Sequence, residues 1–168
     1  IFAENLGIFA SSRSIANLGA LAEGRAAYGL RPEVSWNTGF SADQDFQLFG
    51  REAGVSVELF HNNFQNQVVI DWENPREVAF YNLEGKSYSN SLQTEFRFMP
   101  IQHLEARFAY RYLDVQTDYQ SGRLSKPLVA KHRGFMNLGY NTHDGWSFDY
   151  TLNVVGKKRI PPTTGNPM

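Results

Sequence analysis

The sequence predicts an all-β protein, about six strands of an antiparallel, up-and-down transmembrane β-barrel. Three observations lead there. First, apolar and polar residues alternate with a period of two. Trp146, Phe148, Tyr150, Leu152 and Val154 are interleaved with Ser147, Asp149, Thr151 and Asn153. Successive side chains of a strand point to opposite faces, so one face is greasy and the other wet. Second, several of these runs are long. At about 3.3 Å per residue a thirteen-residue strand reaches roughly 43 Å, which crosses a hydrocarbon layer even when tilted by about 45°. Third, short and long connections take turns along the chain, as in barrels with tight turns at one rim and long loops at the other.

The elements follow in order. Residues 1–32 are read as a loop segment on the long-loop side. Ala and Leu are dense from Ile15 to Tyr28, which suggests a short helix over about 18–28 with Gly29 as its C-terminal cap. Barrel strands and loops occupy 33–159. The first strand, 33–47, alternates Val34, Trp36, Thr38 and Phe40 with Ser35, Asn37, Gly39 and Ser41. A short turn, Leu48 to Glu52, leads to a second strand over 53–71. A long loop from Trp72 to Lys86 precedes the third strand, 87–99, where Leu92, Thr94, Phe96 and Phe98 alternate with Gln93, Glu95 and Arg97. After Pro100-Ile101-Gln102 the fourth strand, 103–117, alternates Leu104, Ala106, Phe108, Tyr110 and Tyr112 with Glu105, Arg107, Ala109 and Arg111. A second long loop, Asp118 to His132, leads to strands over 133–142 and 145–157, joined by a short turn. Residues 160–168 begin the next loop. All seven prolines are expected between strands, because proline removes a ladder donor. The abrupt ends suggest a piece of a larger protein.

Bulk properties exclude several classes. The formal net charge of −1 carries no footprint for nucleic acid. The absence of cysteine removes disulfide frameworks and thiolate chemistry. No run is long and apolar enough for a transmembrane helix, and Ile1 to Asn5 lack the features of a signal peptide. No Gly-Xaa-Ser-Xaa-Gly, P-loop or dinucleotide fingerprint is present, so no enzyme is read here and no cofactor is called for. His61, His103, His132 and His143 have no metal-site spacing.

Candidate functional residues come from position. Trp72, Glu73, Arg76 and Tyr81 lie in the first long loop; Tyr119, Arg123, Lys131 and Arg133 lie in or beside the second. These are the loop positions expected to meet a ligand. The bland readings are an interface aromatic for Trp72 and a solvated loop end for Lys131-His132-Arg133. Glu58, Glu95, Arg97, Glu105, Arg107, Arg111 and Asp149 fall on the wet face. Cross-strand pairs of Arg97 with Glu105, or of Glu95 with Arg107, would suit a watery lumen. Trp146 and Phe98 at one end, with Tyr112, Trp72 and Tyr88 toward the other, suit aromatic girdles.

Particular stretches carry a family resemblance. Ile1-Phe2-Ala3-Glu4-Asn5 through Arg13 is similar to a loop segment in Bacteroidetes-type TonB-dependent outer-membrane receptors. Leu30-Arg31-Pro32-Glu33-Val34-Ser35-Trp36-Asn37 resembles that family's L-x-P-E-x-S-x-N strand opening. Val55 to Asn63, followed by Tyr81-Asn82-Leu83-Glu84-Gly85-Lys86-Ser87, looks like a family strand and its loop exit. Ser91-Leu92-Gln93-Thr94-Glu95 resembles the next strand, with Ser91 where Gly is typical. The resemblance implies a slice of the C-terminal, 22-stranded barrel of an outer-membrane receptor. It also implies a partner TonB complex reached through an N-terminal plug that this chain does not match, outer-membrane lipid around the wall, and an imported ligand such as an iron chelate, cobalamin or glycan. The alternative reading is a soluble or surface β-sandwich acting as a binding or adhesion module, its aromatic face buried by a second sheet.

Overall fold

The computed structural model describes residues 14–15, 30–71, 73–119 and 121–161. The helix expected over 18–28 and Trp72 lie outside the described residues. The strands are β1 (Ser14–Ile15), β2 (Val34–Leu48), β3 (Arg51–Gln65), β4 (Val68–Asp71), β5 (Glu77–Asn82), β6 (Ser87–Ile101), β7 (Leu104–Tyr119), β8 (Gly122–Ser125), β9 (His132–Asn141) and β10 (Ser147–Val155). Six long strands form one antiparallel sheet in the order β10-β9-β7-β6-β3-β2, with β8 added to β7. A small sheet, β1-β5-β4, is paired separately from it. The large sheet is an open meander with edges at β2 and β10.

Its register separates the two faces along every rung. One rung runs Phe40, Leu59, Leu92, Tyr112, His132; another runs Val55, Phe96, Phe108, Met136, Leu152; a third runs Phe46, Ala53, Phe98, Ala106, Leu138, Tyr150. The intervening rungs belong to the opposite face: Ser41, Glu58, Gln93, Arg111, Arg133, and Asp45, Gly54, Arg97, Arg107, Asn137, Thr151. The alternation predicted strand by strand is therefore in phase across the whole sheet. The apolar face is uncovered among the described residues: Trp36 is 69% exposed and Phe148 58%.

All three tight turns lie at one end. Phe49 (φ 53°) and Gly50 (φ 71°) make a two-residue β2–β3 turn. Positive φ at both central positions is what a type I′ hairpin requires. The expected loop 48–52 is thus shorter than predicted, because strand pairing extends to Leu48 and Arg51. His103 (φ 68°) turns β6 into β7, and Gly145 (φ 83°) turns β9 into β10.

At the other end the sequence expectations need revision. The strand expected over 53–71 is two strands. Asn66 takes a left-handed conformation (φ 55°), which its short polar side chain tolerates, and so ends β3. The residues beyond it pair instead with β5, inside the loop expected over 72–86. The second long loop likewise contains β8, which pairs with the end of β7, from Gln116 to Tyr119. Back at the tight-turn end, Pro100 lies within β6 rather than between strands. The ladder to β7 shifts register between Phe98 and Ile101, so the missing proline N–H falls where no ladder bond is made.

Candidate functional site

The buried apolar residues gather mainly at the long-loop end. Val69, Leu83 and Tyr119 form one cluster, with Tyr81 and Leu124 packed against it. Val78 and Phe80 form a second, with Ile15 and Ile70 beside it. The β4–β5 hairpin thus leans on the β7–β8 extension. A third segment locks both: Arg159 meets Glu73 at 2.7 Å, donates from Nε to the Ser125 carbonyl at 2.6 Å, and sits 5.8 Å over the Tyr119 ring. The Arg159 and Glu73 side chains are 23% and 11% exposed, so the pair is largely withdrawn from water. Burial raises the Tyr119 phenol above its ordinary range.

Side chains near the strand exits fix this cap. Asn82 accepts from the Arg31 N–H at 2.6 Å and donates to the carbonyls of Arg31 and Asn66 at 2.9 and 2.7 Å. Glu33 accepts from the Val68 N–H at 2.6 Å. The Arg31-Pro32-Glu33 opening and the Asn82 exit are therefore two halves of one clamp. Asp118 accepts from the Lys86 N–H at 3.0 Å and from Arg123 at 2.6 and 3.1 Å. A Cβ at Gly85 would meet the Asp118 Cβ at 2.6 Å, so this approach needs glycine. Asp118 lies beyond the apolar rungs. The Arg123 guanidinium and the Lys86 N–H hold its carboxyl down to about 2.

The predicted loop residues fall into different settings. Glu73, Tyr81 and Tyr119 come together in the cap, with Tyr81 donating to Asp71 at 2.8 Å. Arg76 is exposed beside β5, where its backbone carbonyl accepts from the Ser14 N–H at 3.0 Å. Arg123 is engaged by Asp118. Lys131 pairs with Asp114 at 2.8 Å, and that hydrogen bond raises its ammonium pKa. Arg133 is elsewhere: it lies on the polar face of β9, directly opposite Arg111. Sequence reasoning missed Arg159 and Asp118. The Lys157-Lys158-Arg159 run was the available signal for the first; a lone Asp at a strand end gave none for the second.

The polar face carries ion pairs. Of the two alternatives expected, Glu95 with Arg107 is present at 3.5 Å. Arg97 turns the other way, to Asp45 at 3.2 Å, and Glu105 pairs with Arg107 at 3.6 Å. The Asp45–Arg97 pair reaches across β3 at Gly54, where a Cβ would lie 2.6 Å from Asp45 Oδ1 and 3.0 Å from Arg97 Nη2.

No match was found among curated proteins or among solved structures. A family model, the TonB dependent receptor-like β-barrel, matches residues 2–167. The unbroken two-faced meander, the tight turns at one end and the match over nearly the whole chain agree, and the chain belongs to the TonB-dependent receptor β-barrel family.

Proposed function

We propose that this chain forms part of the outer-membrane wall of a receptor that imports a scarce, bulky nutrient. The observation that carries the reading is the in-phase segregation of apolar and charged rungs across six long strands. The apolar face meets lipid and the charged face lines a lumen. Along β7 the apolar side chains run from Leu104 to Tyr112, about 26 Å of strand at about 3.3 Å per residue. With the usual tilt of about 35–45°, this stretch rises about 18–21 Å and so covers most of an apolar band about 25 Å tall. A β-sandwich would need a second sheet over the apolar face, and the small β1-β5-β4 sheet packs against the loop end instead.

In this reading the tight turns are periplasmic and the cap faces outside. Arg76 and Arg123 are the cap residues proposed to meet ligand, with Trp72 proposed from its place in the sequence, while Glu73, Tyr81 and Tyr119 hold the cap's shape. A plug domain and the TonB complex supply energy coupling, and an iron chelate, cobalamin or glycan is the cargo class. The test is uptake of each labelled cargo by cells carrying the full-length receptor, with and without a functional TonB complex. TonB-dependent uptake of one cargo, reduced by Trp72→Ala or Arg76→Ala, is expected. Uptake that ignores TonB, or that is untouched by cap substitutions, would overturn the proposal.

A further inference from the structure

The polar face contains two directly opposed arginine pairs with different surroundings. Arg97 faces Arg107 across β6 and β7, and both are neutralised: Arg97 by Asp45 at 3.2 Å, Arg107 by Glu95 and Glu105 at 3.5 and 3.6 Å. Arg111 faces Arg133 across β7 and β9, and among the described residues neither meets an acid within ion-pair distance. Their rung continues with Gln93 and then Glu58, which stands two strands from Arg111 at about 4.8 Å per strand. Glu95, diagonal to Arg111, is already held by Arg107. Like charges placed opposite each other in a ladder are destabilising, and arginine cannot shed its charge.

We propose that Arg111 and Arg133 form an oxyanion-binding station on the lumen face. Two arginines directly opposite each other in the ladder, with Gln93 next on the same rung, suit a carboxylate or a phosphate, each oxygen taking charge-assisted hydrogen bonds. The oxyanion is either a free solute in the lumen or an acidic side chain of the same receptor lying against the wall. The station rests on the polar face being a lumen.

The test uses the full-length receptor extracted from its membrane, with Arg111→Gln, Arg133→Gln and the conservative Arg133→Lys. Slower gel migration only after boiling first shows that each variant is a folded barrel, so failure of the barrel reading is seen separately. Melting is then followed with and without inorganic phosphate. If the oxyanion is a solute, phosphate raises the melting temperature of the parent. Each Gln variant then weakens apparent phosphate affinity by about tenfold or more, the size of a lost charged hydrogen bond, while Arg133→Lys falls between. If the oxyanion is an internal carboxylate, phosphate has no effect and both Gln variants melt lower than the parent. A parent indifferent to phosphate, with Gln variants that melt at the same temperature or higher, means uncompensated repulsion and overturns the station.

Discussion

Gly54 works by what it lacks. It stands between Asp45 and Arg97 on one rung, and only a missing side chain lets those partners meet over the middle strand. The pair is well exposed, so it contributes about 0.2–1 kcal/mol at most. Gly54→Val is predicted to abolish the coupling between Asp45 and Arg97, read as a double-mutant cycle on urea unfolding in vesicles. Coupling that survives the valine would contradict the geometry. Asp118 makes a different prediction. Its carboxyl titrates at about 2, below the ordinary 3.8, so its contribution is complete above about pH 4 and disappears as pH falls toward 2. Protease nicking within 121–126 should rise over that acidic window in the parent. In Asp118→Asn it should be high and nearly independent of pH. At this scale the sequence was half legible. Wet-face charges were assigned correctly because parity alone decides the face. Their partners were legible only in part: Glu95 with Arg107 is found as expected, but the choice of Asp45 over Glu105 for Arg97 depends on a glycine one strand away.

The strands carry their information redundantly. Each has its own alternation, and pairing in the observed register puts every apolar set on the same side. That redundancy is why six strands could be read from sequence with ends close to those found. The break at Asn66 escaped because Val68, Val69 and Ile70 continue an apolar run, and periodicity does not register a single left-handed residue. Phe108→Arg puts a charge in the middle of the apolar face and is predicted to cost about 2–4 kcal/mol, as for lipid-facing arginine at mid-depth. Ala109→Arg, on the other face beside Glu95, should cost far less. Equal losses in membrane unfolding would refute the facing. The cap depends on Arg159, whose contacts come from distant parts of the chain and so left no local trace. Arg159→Gln leaves Glu73 largely buried without its cation. A loss of about 1–3 kcal/mol is expected, below the full cost for a deeply buried pair because both groups keep some exposure. Hydrogen exchange of 68–83 and 119–130 should quicken together. Acceleration of one hairpin alone would show that Arg159 does not join them.

At the scale of the molecule, a sheet with open edges at β2 and β10 cannot sit in lipid by itself, because unpaired backbone groups are costly there. The family supplies the remedy, a closed barrel in which further strands pair with both edges. In the proposed outer-membrane wall, solvent changes from lipid to water on passing one residue along each strand. The chain has no cysteine, so single cysteines can be placed at will in a full-length receptor whose other cysteines are replaced. The most direct test scans Arg107 to Arg111 on β7 and Phe148 to Leu152 on β10 in membranes, quenching a fluorophore on each cysteine with brominated lipid. Strong quenching is expected at Phe108, Tyr110, Phe148, Tyr150 and Leu152, and weak quenching at Arg107, Ala109, Arg111, Asp149 and Thr151. Uniform quenching, or none along either strand, would contradict it.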